Sequence, residues 1–166
     1  MKKILYLFLA LASYGIFAQT TAEAYLNSAV SKFYLDDMKG AIVDYTKAII
    51  IDPSYVEAYR KRGLAKEELK DFSGAIVDYT KAIEIDPNYA FALHDRGITK
   101  GKLKDFSGAI ADYSRAIKID PNYATAYFNR GVSKFYLGDM IGACKDARKA
   151  QALGDDALIL IKKVCN

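Results

Sequence analysis

Tryptophan is absent, histidine occurs once, cysteine twice and proline three times in 166 residues. Each scarcity excludes something. One histidine and two cysteines are too few ligands for a metal centre of the usual kind. His94 has no second histidine to share a metal or a proton relay. Charge is nearly balanced, 24 Lys and Arg against 20 Asp and Glu, and the basic residues are not clustered. That pattern excludes a nucleic-acid footprint, which needs a basic stripe or patch. No apolar run reaches the roughly 20 residues of a membrane-spanning helix.

The N-terminus is a separate object. Lys2 and Lys3 precede an apolar stretch from Ile4 to Ala12, and Ala18 precedes Gln19. This is the pattern of a secretory signal peptide over residues 1–18. An uncleaved anchor is the rival, although Ile4–Phe17 is short for one. Loss of two lysines on cleavage would take the net charge from +4 to +2. The expected location is therefore the periplasm or the exterior, with no stable membrane insertion after cleavage.

The few prolines are the most informative residues. Pro53, Pro87 and Pro121 are spaced 34 apart, each within an Ile-Asp-Pro-(Ser/Asn)-Tyr phrase. Asp71–Ala90 and Asp105–Ala124 match at 16 of 20 positions. A fixed period in this range marks stacked supersecondary units. The units run 22–55, 56–89, 90–123 and 124–157, followed by a tail at 158–166. The fourth lacks the Asp-Pro, as terminal repeats often depart from the pattern when they cap a stack.

Within a unit, two helical stripes appear. Tyr59, Arg62, Gly63, Lys66 and Leu69 recur at three- and four-residue spacing, then Ala75, Ile76, Tyr79, Ala82 and Ile83 do so. Such spacing is one face of an amphipathic helix. Asp71 is placed to cap the second helix, and Asp86-Pro87 to cap the next first helix. Gly63, Gly97 and Gly131 sit mid-helix, where glycine costs about 1 kcal/mol relative to alanine. Their recurrence predicts a close helix crossing.

These residues resemble the tetratricopeptide repeat family over about 22–157. Tyr59, Gly63, Ala75, Tyr79, Ala82 and Pro87 fit its pattern, as do Leu93, Gly97, Ala109, Tyr113, Ala116 and Pro121. Arg62, Arg96 and Arg130 replace the expected leucine, and Lys32, Lys66, Lys100 and Lys134 the expected aromatic. The resemblance implies an all-α, right-handed superhelical solenoid of four helix pairs with a C-terminal capping helix. It also implies a concave face, lined by the first helices, that binds a protein or peptide.

Several constellations follow. The Arg column and the column Asp44, Asp78, Asp112 and Asp146 form either a structural ion-pair ladder or an anion site. The first helices carry Val30, Leu64, Ile98 and Val132 in one column, with Leu26, Arg60, His94 and Phe128 beside it and Phe33, Glu67, Gly101 and Phe135 next. These columns read equally well as a peptide groove or as packing between helices. The groove reading selects Arg60, Leu64, Glu67, His94, Ile98, Phe128, Val132 and Phe135. The family's two-carboxylate clamp would fall on Arg60, Leu64, Asp95, Thr125 and Asn129, of which only Arg60 has suitable charge. Neighbouring His94 and Asp95 are expected to point apart. No catalytic set and no cofactor motif is present, so the expected function is a non-enzymatic adaptor of the cell envelope. A structural subunit acting by self-association or repeat edges is the alternative.

Cys144 takes the place of Ile42, Ile76 and Ile110 in the repeat, and Cys165 ends the tail. An exported chain with two cysteines invites a disulfide between them, although two buried thiols would fit as well.

Overall fold

Short aspartate caps and extended Asp-Pro turns set the helix boundaries. The computed structural model describes residues 21–165, so the signal peptide read at 1–18 lies outside the described residues. The first helix, α1, covers 21–34. It is followed by α2 (Met38–Ile51), α3 (Val56–Glu68), α4 (Phe72–Ile85), α5 (Ala90–Lys102), α6 (Phe106–Ile119), α7 (Ala124–Tyr136), α8 (Met140–Ala152) and α9 (Leu158–Val164). Among the described residues there is no strand. None of these helices is long and apolar enough to cross a membrane.

Three second helices begin with an aspartate cap at positions equivalent to Asp71. Asp37, Asp105 and Asp139 accept hydrogen bonds from the backbone N–H of Gly40, Gly108 and Gly142. Each cap satisfies one of the donors left free at a helix start. The Asp-Pro phrase behaves differently from the expectation. Tyr55, Tyr89 and Tyr123 are the N-caps of the first helices, and none makes a side-chain cap bond. Asp52, Asp86 and Asp120 instead accept from the N–H two residues on, at Ser54, Asn88 and Asn122. Asp52 and Asp120 are the C-caps of α2 and α6, with extended backbone. A residue before proline is driven to that conformation, so the phrase ends one helix rather than starting the next.

The turn between the helices of a repeat needs a left-handed residue. Asp36, Lys70 and Lys104 have φ near +63°, values of 64°, 62° and 64°, and Gly138 takes the same place with 82°. Lys104 N–H bonds to Gly101 O and Asp105 N–H to Lys100 O, which satisfies the last carbonyls of α5.

The chain divides into two compact bodies, one ending at Asp71 and one starting at Phe72. In the first, Ala22, Leu26 and Ala29 of α1, Ala41, Tyr45 and Ala48 of α2 and Ala58 and Tyr59 of α3 are buried. In the second, α4 to α9 pack successively, each on the next. Alanines line the crossings: Ala75, Ala82, Ala92, Ala109, Ala116, Ala126, Ala143 and Ala147 are fully buried. Gly97 is required at its crossing, because a Cβ there would stand 2.6 Å from Cε1 of Tyr113.

Candidate functional site

The conspicuous charged columns are structural. Arg96 holds Asp112 with two hydrogen bonds, Nε to Oδ2 at 2.9 Å and Nη2 to Oδ1 at 2.6 Å. Its Nη1 donates to Thr80 Oγ1 at 3.0 Å. Arg130 repeats this on Asp146 and on Ser114 Oγ. Arg62 Nη1 donates to Thr46 Oγ1 at 3.1 Å. The lysines standing where the family expects an aromatic complete the network. Lys100 Nζ lies 2.7 Å from Asp112 and Lys134 Nζ 2.8 Å from Asp146. Each buried carboxylate thus meets two cations, the pairing that keeps a buried charge tolerable. A guanidinium committed to a bidentate bond does not form an open anion site. In the first repeat Ser28 replaces the arginine, and Asp44 accepts from Ser28, Lys32 and Lys47. These bonds, led by that from Lys32, outweigh burial and lower the Asp44 carboxyl to about 2. The pairing of the lysine column with the aspartates, and the hydroxyl column that meets the arginines, are what reading by sequence missed. Their recurrence four residues after and 16 before each arginine was the available sign.

The groove residues do not share one fate. Glu67 and His94 are buried, with relative exposure of 8% each, so they are interior residues rather than contacts open to a partner. His94 packs against Tyr123 with tilted rings whose centroids are 4.9 Å apart, and lies 5.7 Å from Tyr113. Its Nε2 is 3.1 Å from the Asn129 amide nitrogen. Contrary to expectation, its Nδ1 approaches Asp95 Oδ1 to 3.5 Å. Phe128, Val132 and Phe135 pack against the core of α7, α8 and α9. Lys163 of α9 lies over the Phe135 ring at 4.3 Å. Ile98 is half-buried on α5. At most of these positions the columns serve helix packing.

One part of the groove stays open, in the N-terminal body. Val30, Phe33 and Tyr34 of α1, Tyr45 of α2 and Arg60, Lys61 and Leu64 of α3 enclose a cavity of about 230 Å³. Its base is Tyr45, 1% exposed, and its rim is Tyr34, 82% exposed. Burial, with the nearby Glu57 and Tyr34, raises the Tyr45 hydroxyl to about 12, so it stays protonated as a donor. Lys61 also pairs with Glu57 at 3.4 Å. The volume is below the roughly 300–1,000 Å³ of small-molecule sites, and suits a single side chain.

At the other end of the chain, Cys144 of α8 and Cys165 form a disulfide with Cα atoms 5.0 Å apart.

The helix-pair geometry agrees with the sequence profiles. Tetratricopeptide repeat profiles match residues 22–55 and 56–89, and a TPR repeat profile matches 102–138, together well over half of the chain. The chain is a tetratricopeptide repeat protein. No curated protein matches it. Among solved structures, MamA is similar with a TM-score of 0.77 and 24% identity, covering 87% of this chain and 86% of that one. MamA residues 41 to the end from Desulfovibrio magneticus RS-1 gives 0.75 at 19% identity, covering 81% and 76%. The first repeat domain of Spaghetti (RPAP3), solved with the HSP90 peptide SRMEEVD, gives 0.70 at 25% identity, covering 72% and 95%. These likenesses establish the fold as all-α tetratricopeptide helix pairs. Such arrays are, in general, interaction modules rather than enzymes.

Proposed function

We propose that this chain is an exported adaptor of the cell envelope that binds a peptide segment of a partner protein at the α1–α3 cavity. The observation that carries this reading is the cavity itself, with apolar walls from Val30, Phe33 and Leu64 and cations from Arg60 and Lys61. An apolar side chain would fill it, and a carboxylate beside that side chain would meet the two basic residues. The RPAP3 domain supports the peptide class, since its ligand carries a valine between acidic residues. A two-carboxylate clamp is not part of the proposal, because Asp95 is buried beside His94 and Asn129 is bonded to it.

The test is affinity capture from envelope extracts with native protein and a Leu64→Glu variant. Leu64 is half-buried at the cavity wall, so the variant should keep its helical circular dichroism while losing captured partners. An identical set of partners from both proteins would overturn the reading. A second reading, self-association through repeat edges, rests on the exposed Tyr136, Leu137 and Ile141, the last 87% exposed. Sedimentation would show an assembly that Ile141→Lys disperses; a monomer at all concentrations would end that reading.

A further inference from the structure

The C-terminal helix α9 covers part of the helix-one columns, and three observations bear on how firmly. First, it has seven residues, far fewer than the roughly 12–15 that a helix needs to persist alone in water. Its N-cap Ala157 has no capping side chain, although the Ala157 N–H is held by Gln151 Oε1 at 3.1 Å. Second, only Leu160 and Val164 are buried within it, whereas Leu158 and Ile159 are 53% and 83% exposed. A terminal cap of a repeat stack is ordinarily polar outside, and here Leu158 and Ile159 share the exposed surface with Lys162 and Lys163. Third, the connection to it leaves one polar atom unsatisfied: the Oδ2 atom of Asp155 is buried with no hydrogen-bond partner. A buried oxygen left unsatisfied favours any motion that returns it to water.

Against this stands one covalent restraint. Cys165 is the C-cap of α9, and its bond to Cys144 pins the far end of the helix to α8 across a separation of 21 residues. The near end is held by the chain. Both cysteines are only partly buried.

We propose that α9 is a redox-released cover: the disulfide holds it on the α7–α8 pair, and its reduction frees residues 155–165 and uncovers the apolar face of Phe128, Val132 and Phe135. The reductant is a dithiol. Two electrons and two protons convert Cys144–Cys165 into two thiols, while the dithiol closes into its own disulfide. The occupant of the face is the chain's own tail, seated through Leu160 and Val164 four residues apart. The cover returns when a small-molecule disulfide takes up the two electrons and two protons of the thiols, is itself reduced to thiols, and so re-forms the Cys144–Cys165 bond. This inference does not depend on the cavity near Leu64.

Hydrogen exchange followed by mass spectrometry on the full chain, oxidised and dithiol-treated, tests it. The expected result is exchange at least tenfold faster in α9 after reduction, with α7 and α8 amides unchanged and binding of an apolar dye increased. A Cys144→Ser/Cys165→Ser variant should show the reduced pattern without reductant. Unchanged protection of α9 in the reduced protein or in the double variant would overturn the proposal. So would loss of protection in α7 and α8 together with α9, since the bond would then support the whole pair rather than a cover.

Discussion

Two glycines in one helix should respond to the same substitution with opposite sign. Gly97 and Gly101 both lie in α5. A Cβ on Gly97 would meet Tyr113 at 2.6 Å from Cε1, 2.9 Å from Cζ and 3.0 Å from Cδ1. Carbon atoms prefer about 3.5–4.0 Å, so the shortest approach is too close by roughly 1 Å. Tyr113 cannot yield easily, being 3% exposed with its ring against His94. Overpacking of this kind costs about 1–3 kcal/mol, and alanine returns about 1 kcal/mol through helix propensity. Gly97→Ala should therefore destabilise by roughly 0–2 kcal/mol. A Cβ on Gly101 would meet nothing within 4 Å, so Gly101→Ala should stabilise by up to about 1 kcal/mol. Urea unfolding followed by far-ultraviolet circular dichroism measures both. The predicted gap of about 1–3 kcal/mol corresponds to several degrees in Tm for a chain of this size. Two variants that agree within about 0.5 kcal/mol would refute the close-crossing argument. Gly97→Leu, with a larger overlap, should disrupt the array outright.

Asp112→Ala should cost about 3–5 kcal/mol, because it leaves Arg96 and Lys100 facing a vacated buried site, whereas Glu84→Ala at the surface should stay within about 0.5 kcal/mol. Chemical denaturation of the two variants checks this, and equal losses would refute the ladder as a structural element. Asp44 links stability to pH: its folded value of about 2 lies below the ordinary 3.8, so its contribution is present in full above about pH 4 and is lost as pH falls through 2. The stability gap between native protein and Asp44→Asn should therefore be flat from pH 7 to 5 and shrink between pH 4 and 2; a gap still undiminished at pH 2 would contradict the assignment.

The helix pairs and their turns were legible because their causes are local. A 34-residue period, Asp37, Asp105 and Asp139 at helix starts, and the backbone limits at Asp52-Pro53 and Asp120-Pro121 act within a few residues. The Arg–Asp ladder was legible for a related reason. Identical spacing in every repeat brings Arg96 to Asp112 and Arg130 to Asp146 in the same way. The Asp-Pro phrase was misread as a cap for the following helix because a side chain able to cap was present, while the backbone chose a two-residue turn.

The candidate site was only partly legible, and the reason is geometric. Helical periodicity states on which side of its own helix a residue stands, but not what the neighbouring helix places there. His94 and Arg60 hold equivalent positions in their repeats. Tyr113, Tyr123 and Asn129 enclose His94, whereas Arg60 borders a cavity. Likewise Leu64 and Val132 share a column, yet Val132 packs against the core that α9 completes. Sequence alone determined the repeat and its helix pairs and set the Arg and Asp columns in register, since each follows from spacing along one chain. Only the tertiary structure decided which of the equivalent positions borders an open cavity, because that depends on the size and reach of side chains brought in by other helices.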